Sequence, residues 1–186
     1  LCDRRQRQMC IRDSTGDASI YGAIREQLDA LDELGIAHEV VPGVSSFLAA
    51  AAAMQKEYTL PEVTQTVILT RMEGRTPVPE RERIEELAKH RTTMVIFLSV
   101  GRIAELAERL KTAYPETTPV AVVYKASWPV ETIVTGTLAD IVEKVQAAGI
   151  TKTALVTVGD FLGDSYALSK LYDKAFTHEY RQGKNA

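Results

Sequence analysis

The stretch TRMEGRTPVPERE, Thr70 to Glu82, carries three arginines, two prolines and one glycine in thirteen residues. Arginine forks take carboxylates in two-bond geometry, and proline stiffens the chain that presents them. So much cationic charge beside stiff backbone is more than a plain connector needs, which raises the question of what this loop holds. Two further stretches bear on small-molecule binding. TGDASIYG puts a Gly-Asp turn before a helix, and PGVSS puts Pro-Gly and two hydroxyls before another. Helix N-termini present unpaired N–H groups and partial positive charge, so a carboxylate, ribose or phosphate seats there; Asp17, Ser45 and Ser46 serve equally well as helix caps. A full Gly-x-Gly-x-x-Gly fingerprint is missing, which gives little support to a nicotinamide enzyme. His38, His90 and His178 lie far apart in dissimilar contexts, so no metal site is expected. Ser99, Ser127 and Ser165 show no nucleophile-elbow pattern. With no nucleophile, metal centre or redox pair standing out, the residues favour chemistry in which the protein positions two reactive small molecules. No catalytic residue is assigned.

These residues sit among alternating strands and helices. Ile20, Ile24, Leu28, Leu31 and Leu34 recur at spacings of four and three, predicting a helix over 19–35 capped by Asp17 or Ser19 and stopped by Gly35. AHEVV then predicts a short strand, ended by Pro42-Gly43, and an alanine-rich helix runs from Ser45 to Met54. QTVILT, TMVIFLS, PVAVVYK, ETIVTGTL and TALVTVGD read as strands; PERERIEELAKH, RIAELAERLK and residues 138–148 read as helices. Continuous β-branched runs between amphipathic helices indicate an α/β fold whose sheets are covered on both faces.

The chain has 186 residues, is 45% hydrophobic and carries a formal net charge of −3, enough apolar material for one or two soluble domains. The apolar runs are too short to cross a bilayer, no secretory leader is recognisable, and mild acidity argues against nucleic acid as a partner; the cytoplasm is the expected location. Residues 1–14 hold both cysteines, Cys2 and Cys10, and four of the 22 basic residues. Their composition predicts a non-native segment. The polar connector QKEYTLPEV suggests a boundary near Pro61, giving an N-terminal α/β domain over 15–61 and a C-terminal one over 62–186. The first block has too few strands to close a layered core, which predicts that its opening strands are missing.

TGDASIYGAIREQL, PGVSSFLAAAA, LPEVTQTVILTRMEGRTPVPE, MVIFLSV, VYKASWPVE, ALVTVGDFL and SKLYDKAFTHEYR follow one another in an order and spacing that resembles the S-adenosylmethionine-dependent tetrapyrrole methylases, in the branch acting on precorrin-4 or cobalt-precorrin-4. The resemblance spans Thr15 to about Arg181. It implies two α/β domains with the cofactor in the cleft between them, a homodimer, and methyl transfer to C-11 of the macrocycle in cobalamin biosynthesis. Relatives begin with a strand and a Gly-Pro-Gly-Asp loop that this sequence does not contain, and Ala18 replaces a proline common after Gly-Asp. The implied cofactor contacts are Thr15, Gly16, Asp17, Ile20, Ser45, Ser46, Leu98, Ala126 and Ala154; for Leu98 and Ala154, plain core packing is an equal alternative. A tetrapyrrole carries a ring of acetates and propionates, which points to Arg71, Arg75 and Lys125 as substrate contacts, with Arg81 at the surface and Pro77 and Pro79 stiffening the loop. Glu73 and Asp17 are the carboxylates nearest to hand for a proton acceptor, but neither is singled out. Two alternatives stay open: a different tetrapyrrole substrate (precorrin-2 or uroporphyrinogen III), and a fragment that binds or dimerises without turnover.

Overall fold

The computed structural model describes residues 14–168 and Thr177; Cys2, Cys10, His178 and most of the SKLYDKAFTHEYR motif lie outside them. Chain contacts divide the molecule into two compact units, Leu1–Leu48 and Ala49–Ala186.

In the first unit, α1 (Ile24–Glu33) places Ile24, Leu28 and Leu31 half-buried on one face, while Leu34 is exposed. Its end is as expected. Gly35 has φ +65°, its N–H reaches Asp32 O at 3.0 Å, and the Ile36 N–H reaches Leu31 O at 2.9 Å, a left-handed stop that glycine adopts at little cost. The start differs from the expectation. The helix begins at Ile24 behind a left-handed Ala23 with no side-chain cap, so neither Asp17 nor Ser19 caps it. Residues 18–21 form a separate turn, and Gly22 directly after it lies so close to the Ala18 carbonyl that a Cβ would stand 2.2 Å from its oxygen. The expected strand over 37–41 does not form either. A strand needs a ladder partner, and the described residues of this unit provide none; Val40 and Val41 are exposed. Helix α2 (Ser46–Met54) follows.

The second unit is a five-stranded sheet of β1 (Val67–Arg71), β2 (Thr93–Phe97), β3 (Pro119–Tyr124), β4 (Thr132–Thr137) and β5 (Ala154–Val158) in the order β1-β2-β5-β3-β4. β1 and β2 are parallel, while β5 runs antiparallel to both β2 and β3, and β3 antiparallel to β4. All five strands stand where the apolar runs predicted them. Helices α3 (Ile84–Ala88), α4 (Ile103–Lys111) and α5 (Ile141–Ala147) complete the unit. Their apolar residues, Ile84, Ile103, Leu106, Leu110, Ile141 and Val145, form one core with Met94, Ile96, Val120, Val122, Val156 and Val158 of the sheet. Each such side chain, fully buried, contributes roughly 1.5–3 kcal/mol before conformational entropy is set against it. The opposite face carries Thr157, whose Oγ1 donates to Ala121 O at 3.1 Å and lies 3.9 Å from Met54 Sδ.

Two details modify the expected elements. The charged helix over 79–90 is broken: a 3-10 turn spans Glu80–Glu82, Arg83 is extended, and α3 is only one and a half turns. The break turns Ile84 and Ala88, both fully buried, into the core. The connector after α2 is packed on the sheet. Tyr58 and Leu60 are buried, Tyr58 meets Phe161 edge-on at 5.1 Å, and Thr93 Oγ1 donates to Tyr58 O at 2.9 Å. Among the described residues no helix is long and apolar enough to cross a membrane.

Strands β1, β2 and β3 all point the same way, so their C-terminal ends share one end of the sheet with the N-terminal ends of β4 and β5. Ligands of open α/β sheets commonly bind outside strand C-termini.

Candidate functional site

In the first unit, the TGDAS and PGVSS stretches, far apart in sequence, pack backbone against backbone. Gly16 takes φ +75°, and a Cβ there would lie 3.3 Å from Ser46 N and 3.5 Å from Ser45 Cα. A Cβ on Gly43 would stand 2.0 Å from Gly16 O, so only glycine fits at this crossing. Asp17 fastens it: Oδ2 accepts the Gly43 N–H at 2.8 Å, and Oδ1 accepts the Ser19 N–H at 2.8 Å together with the Ser19 hydroxyl. The Ser19 hydroxyl, the Gly43 N–H and the Ser19 N–H hold the Asp17 carboxyl below the usual carboxylate range. Asp17 is thus a clasp between two turns rather than a helix cap. Thr15 is exposed beside it, Ile20 is half-buried, and Ser45 is buried immediately before Ser46 opens α2.

In the second unit, every candidate residue lies at the end of the sheet where β1, β2 and β3 terminate. Arg71 closes β1, Leu98 follows β2, Lys125 and Ala126 follow β3, and Ala154 opens β5. Leu98 is not a core residue. It is 78% exposed in left-handed backbone (φ +55°), although β2 directly before it is buried throughout. Core packing is thereby ruled out for Leu98, while Ala154 is half-buried. Lys125 (φ +47°), Ser127 (φ +69°) and Thr153 (φ +57°) share this conformation at the same end. Left-handed backbone costs a non-glycine residue roughly 1–2 kcal/mol, and such strain gathers at functional sites. Among the described residues, four of the nine non-glycine positions with positive φ stand here.

Local bonds hold that shape. The Lys125 N–H donates to Thr153 O at 3.0 Å, the Trp128 N–H to Lys125 O at 3.0 Å, and the Ser127 N–H to Glu131 Oε2 at 2.6 Å. Lys125 Nζ stands 5.0 Å from the Tyr124 ring and 5.2 Å from the exposed Trp128 ring, so the cation is steered by two aromatic faces.

The arginine loop divides its charges. Arg71 turns inward: Nη1 donates to Met72 O at 3.1 Å and Thr76 O at 3.2 Å, and Nη2 to Pro77 O at 3.4 Å. It braces the loop's own carbonyls. Arg75 is exposed at the tip with no partner among the described residues. Arg81 is surface, 3.6 Å from Glu82. Glu73 is held below the usual carboxylate range by Arg109, which hydrogen-bonds it, so it is a poor proton acceptor. The same holds for Asp17.

Residues to which the sequence assigned no role support this end. Ser99 is buried; its hydroxyl accepts the Met72 N–H at 3.0 Å and donates to Phe97 O at 2.7 Å, pinning the start of the loop to the end of β2. Arg102 and Arg109 reach the loop from the start and the last turn of α4. The sequence showed only the helix that carries Arg109. A cavity of about 500 Å³ near Pro119, Gly136, Thr137 and Lys144 lies at the opposite end of β3 and β4 and is no part of this arrangement.

Residues 2–142 match the tetrapyrrole (corrin/porphyrin) methylases; the match starts inside the segment that composition sets apart. The chain is 58% identical over 179 residues to the cobalt-precorrin-4 C(11)-methyltransferase of Methanocaldococcus jannaschii, covering 95% of this chain and 69% of the relative. It resembles the X-ray structure of a cobalamin biosynthetic enzyme, cobalt precorrin-4 methyltransferase, with a TM-score of 0.82 and 46% identity over 86% of this chain and 67% of that one. A uroporphyrin-III C-methyltransferase from Thermus thermophilus, solved with S-adenosylhomocysteine, matches at 25% identity and a TM-score of 0.64, over 79% of this chain and 64% of its own.

Proposed function

Because the chain belongs to the tetrapyrrole (corrin/porphyrin) methylases, we propose that it methylates C-11 of precorrin-4 or cobalt-precorrin-4 in cobalamin biosynthesis, with S-adenosylmethionine as donor. The observation that carries this reading is the 58% identity to a cobalt-precorrin-4 C(11)-methyltransferase over 95% of the chain. The relative from Thermus thermophilus, named for a different tetrapyrrole, stands at 25%.

The residues present suit a nucleoside bound through its faces and edges. Leu98 offers an exposed apolar side chain, and Ala126 and Ala154 are small enough to leave main-chain groups within reach. In the first unit, the Gly16–Gly43 crossing and its Asp17 clasp set the backbone that Thr15, Ile20, Ser45 and Ser46 would present to the cofactor. S-adenosylmethionine, when bound, would supply an activated sulfonium methyl group for attack by the nucleophilic ring carbon, the methyl–sulfur bond breaking so that S-adenosylhomocysteine leaves. The protein's work is then alignment and exclusion of water. Arg75 and Lys125 provide cations for the macrocycle's carboxylates; Arg71, bonded to carbonyls of its own loop, acts by bracing that loop. No side chain is assigned as a base. A homodimer belongs to the same proposal and is checked by light scattering.

Calorimetric titration of the 186-residue chain with S-adenosylhomocysteine tests the cofactor reading. One saturable site per chain is expected. A folded sample that binds none would remove S-adenosylmethionine chemistry from this chain. Incubation with S-adenosylmethionine and precorrin-4 then tests the reaction: the product should gain one methyl group at C-11.

A further inference from the structure

The arginine loop is gripped at its root, while the Arg75 side chain at its tip has no partner among the described residues. At the root, Glu73 is held twice. Arg109 Nη1 meets its carboxylate at 2.5 Å, and Arg102 Nη1 donates to its carbonyl at 2.5 Å. Arg109, whose side chain is only 20% exposed, also binds Glu105 at 2.6 Å and reaches Glu85 at 3.5 Å. Arg102 closes the ring with two bonds to Glu105, at 2.8 and 2.6 Å. One guanidinium therefore ties the loop, α3 and α4 together. At the tip the Gly74 N–H meets Thr76 O at 3.3 Å and Arg71 reaches Thr76 O and Pro77 O at 3.2 and 3.4 Å, while the Arg75 side chain has no partner among the described residues. A cavity of about 390 Å³ lies against Glu73, Gly74, Arg75, Arg83, Glu85 and Arg109.

The charges explain why this arrangement matters to Arg75. Three carboxylates converge on Arg109, and Glu73 stands two residues from Arg75. With Arg109 in place, Glu73 is committed to α4. Without it, Glu73 becomes an anion free to capture the cation meant for the ligand, and the three carboxylates repel one another. A screened surface ion pair would add little, but a shared, largely buried guanidinium sets geometry as well as charge.

We propose that Arg109 is a positioning residue for the substrate loop: it holds Glu73 to α4 so that the loop is preorganised and Arg75 stays available to a carboxylate of the tetrapyrrole. This rests on the reading of the loop as a tetrapyrrole contact. Preorganised contacts lose less of their binding energy to ordering, so the loss on removing Arg109 falls on ligand affinity.

The test uses the full chain, with uroporphyrin III, a stable tetrapyrrole polycarboxylate, as the fluorescent probe. Arg75→Ala, Arg109→Gln and Glu73→Gln are titrated with the probe and, separately, with S-adenosylhomocysteine; exchange of the loop amides Gly74, Arg75, Thr76 and Val78 is followed by mass spectrometry. Arg75→Ala is expected to weaken the probe about tenfold, the scale of one lost charged hydrogen bond. Arg109→Gln should weaken it to a similar degree, accelerate exchange across the loop, and leave S-adenosylhomocysteine binding unchanged. If Arg109→Gln does not fold, Glu73→Gln tests the loop-ordering part of the role. It removes the ion pair to Arg109 and the competing anion while keeping the Arg102 contact to the carbonyl, so faster loop exchange with a smaller loss of probe is expected, and parental loop exchange overturns the positioning role. Failure of the unchanged chain to bind the probe, or an Arg75→Ala variant that binds as well as the parent, overturns the tetrapyrrole reading of the loop. A weakened Arg75→Ala beside an Arg109→Gln with parental affinity, parental loop exchange, or equal losses for both ligands overturns the positioning role alone.

Discussion

Replacing Gly43 by alanine tests the crossing of the two turns directly. The new Cβ would stand 2.0 Å from Gly16 O, where carbon and carbonyl oxygen normally keep at least about 3.3 Å apart. The turns must therefore separate by roughly 1.3 Å, since both atoms belong to the backbone and neither can rotate away. That movement stretches the 2.8 Å bond from the Gly43 N–H to Asp17 Oδ2 beyond hydrogen-bond range. Overpacking of this kind costs about 1–3 kcal/mol. If the turns present the cofactor contacts proposed for them, the same energy appears as roughly 5- to 150-fold weaker S-adenosylhomocysteine binding. Gly35→Ala is the matched control. Its Cβ meets nothing within 4 Å, and its cost is only the left-handed backbone at φ +65°, about 1–2 kcal/mol. Calorimetric titration and urea unfolding of both variants separate the effects. A folded Gly43→Ala protein binding within about twofold of the parent would refute the link between this crossing and the cofactor.

Ser99→Ala removes the acceptor of the Met72 N–H and the donor to Phe97 O; a loss of about 1–3 kcal/mol is expected in urea unfolding. Leu98→Ala should leave unfolding within about 0.5 kcal/mol of the parent, because the side chain is exposed, yet weaken S-adenosylhomocysteine several-fold in calorimetry; a loss above about 2 kcal/mol would mark a core leucine instead. Asp17 and Glu73 have folded pKa values below their ordinary ones, through the Ser19 hydroxyl and the Arg109 guanidinium respectively. Their contribution to stability is fully present above the unfolded carboxylate range and is lost as pH falls through the folded pKa, so it fades below about pH 4. Urea unfolding between about pH 3 and 6 should show the decline, and Glu73→Gln should flatten it.

The strands were legible because each is a short β-branched run bounded by turn residues, a pattern that burial on both sides of a sheet enforces. Their spatial order was not. TALVTVGD reads like the other runs, and nothing local says that it inserts antiparallel between β2 and β3. The AHEVV stretch shows the limit from the other side: β propensity is a fit to neighbouring strands, and without a partner the same residue types stay irregular. Helix α1 could be read at its end, where Gly35 has a local job, but not at its start, where Gly22 packs on the Ala18 carbonyl and the uncapped position falls to left-handed Ala23. At the site, VIFL looks like one continuous buried run, and periodicity carries no sign that the backbone turns over at Leu98. RIAELAERLK was legible as a helix, but not what its arginines would hold. The link from Arg109 back to Glu73 depends on how α4 packs beside the loop, which no window of sequence contains.

The position of β5 has a consequence for how the second unit is made. β1 pairs with β2, and β3 with β4, so each half of the sheet forms from chain that lies close together. The two halves meet only through β5, the last of the five strands to leave the ribosome. Until Val158 has emerged, β2 and β3 each present an open edge of unpaired N–H and C=O groups, the hazard that invites association with other chains. Closure then joins residues far apart in sequence, and such non-local pairing is slow. A nascent chain of this protein is thus most exposed to misassembly in the interval after β2 and β3 have emerged and before the central strand zips the two half-sheets together.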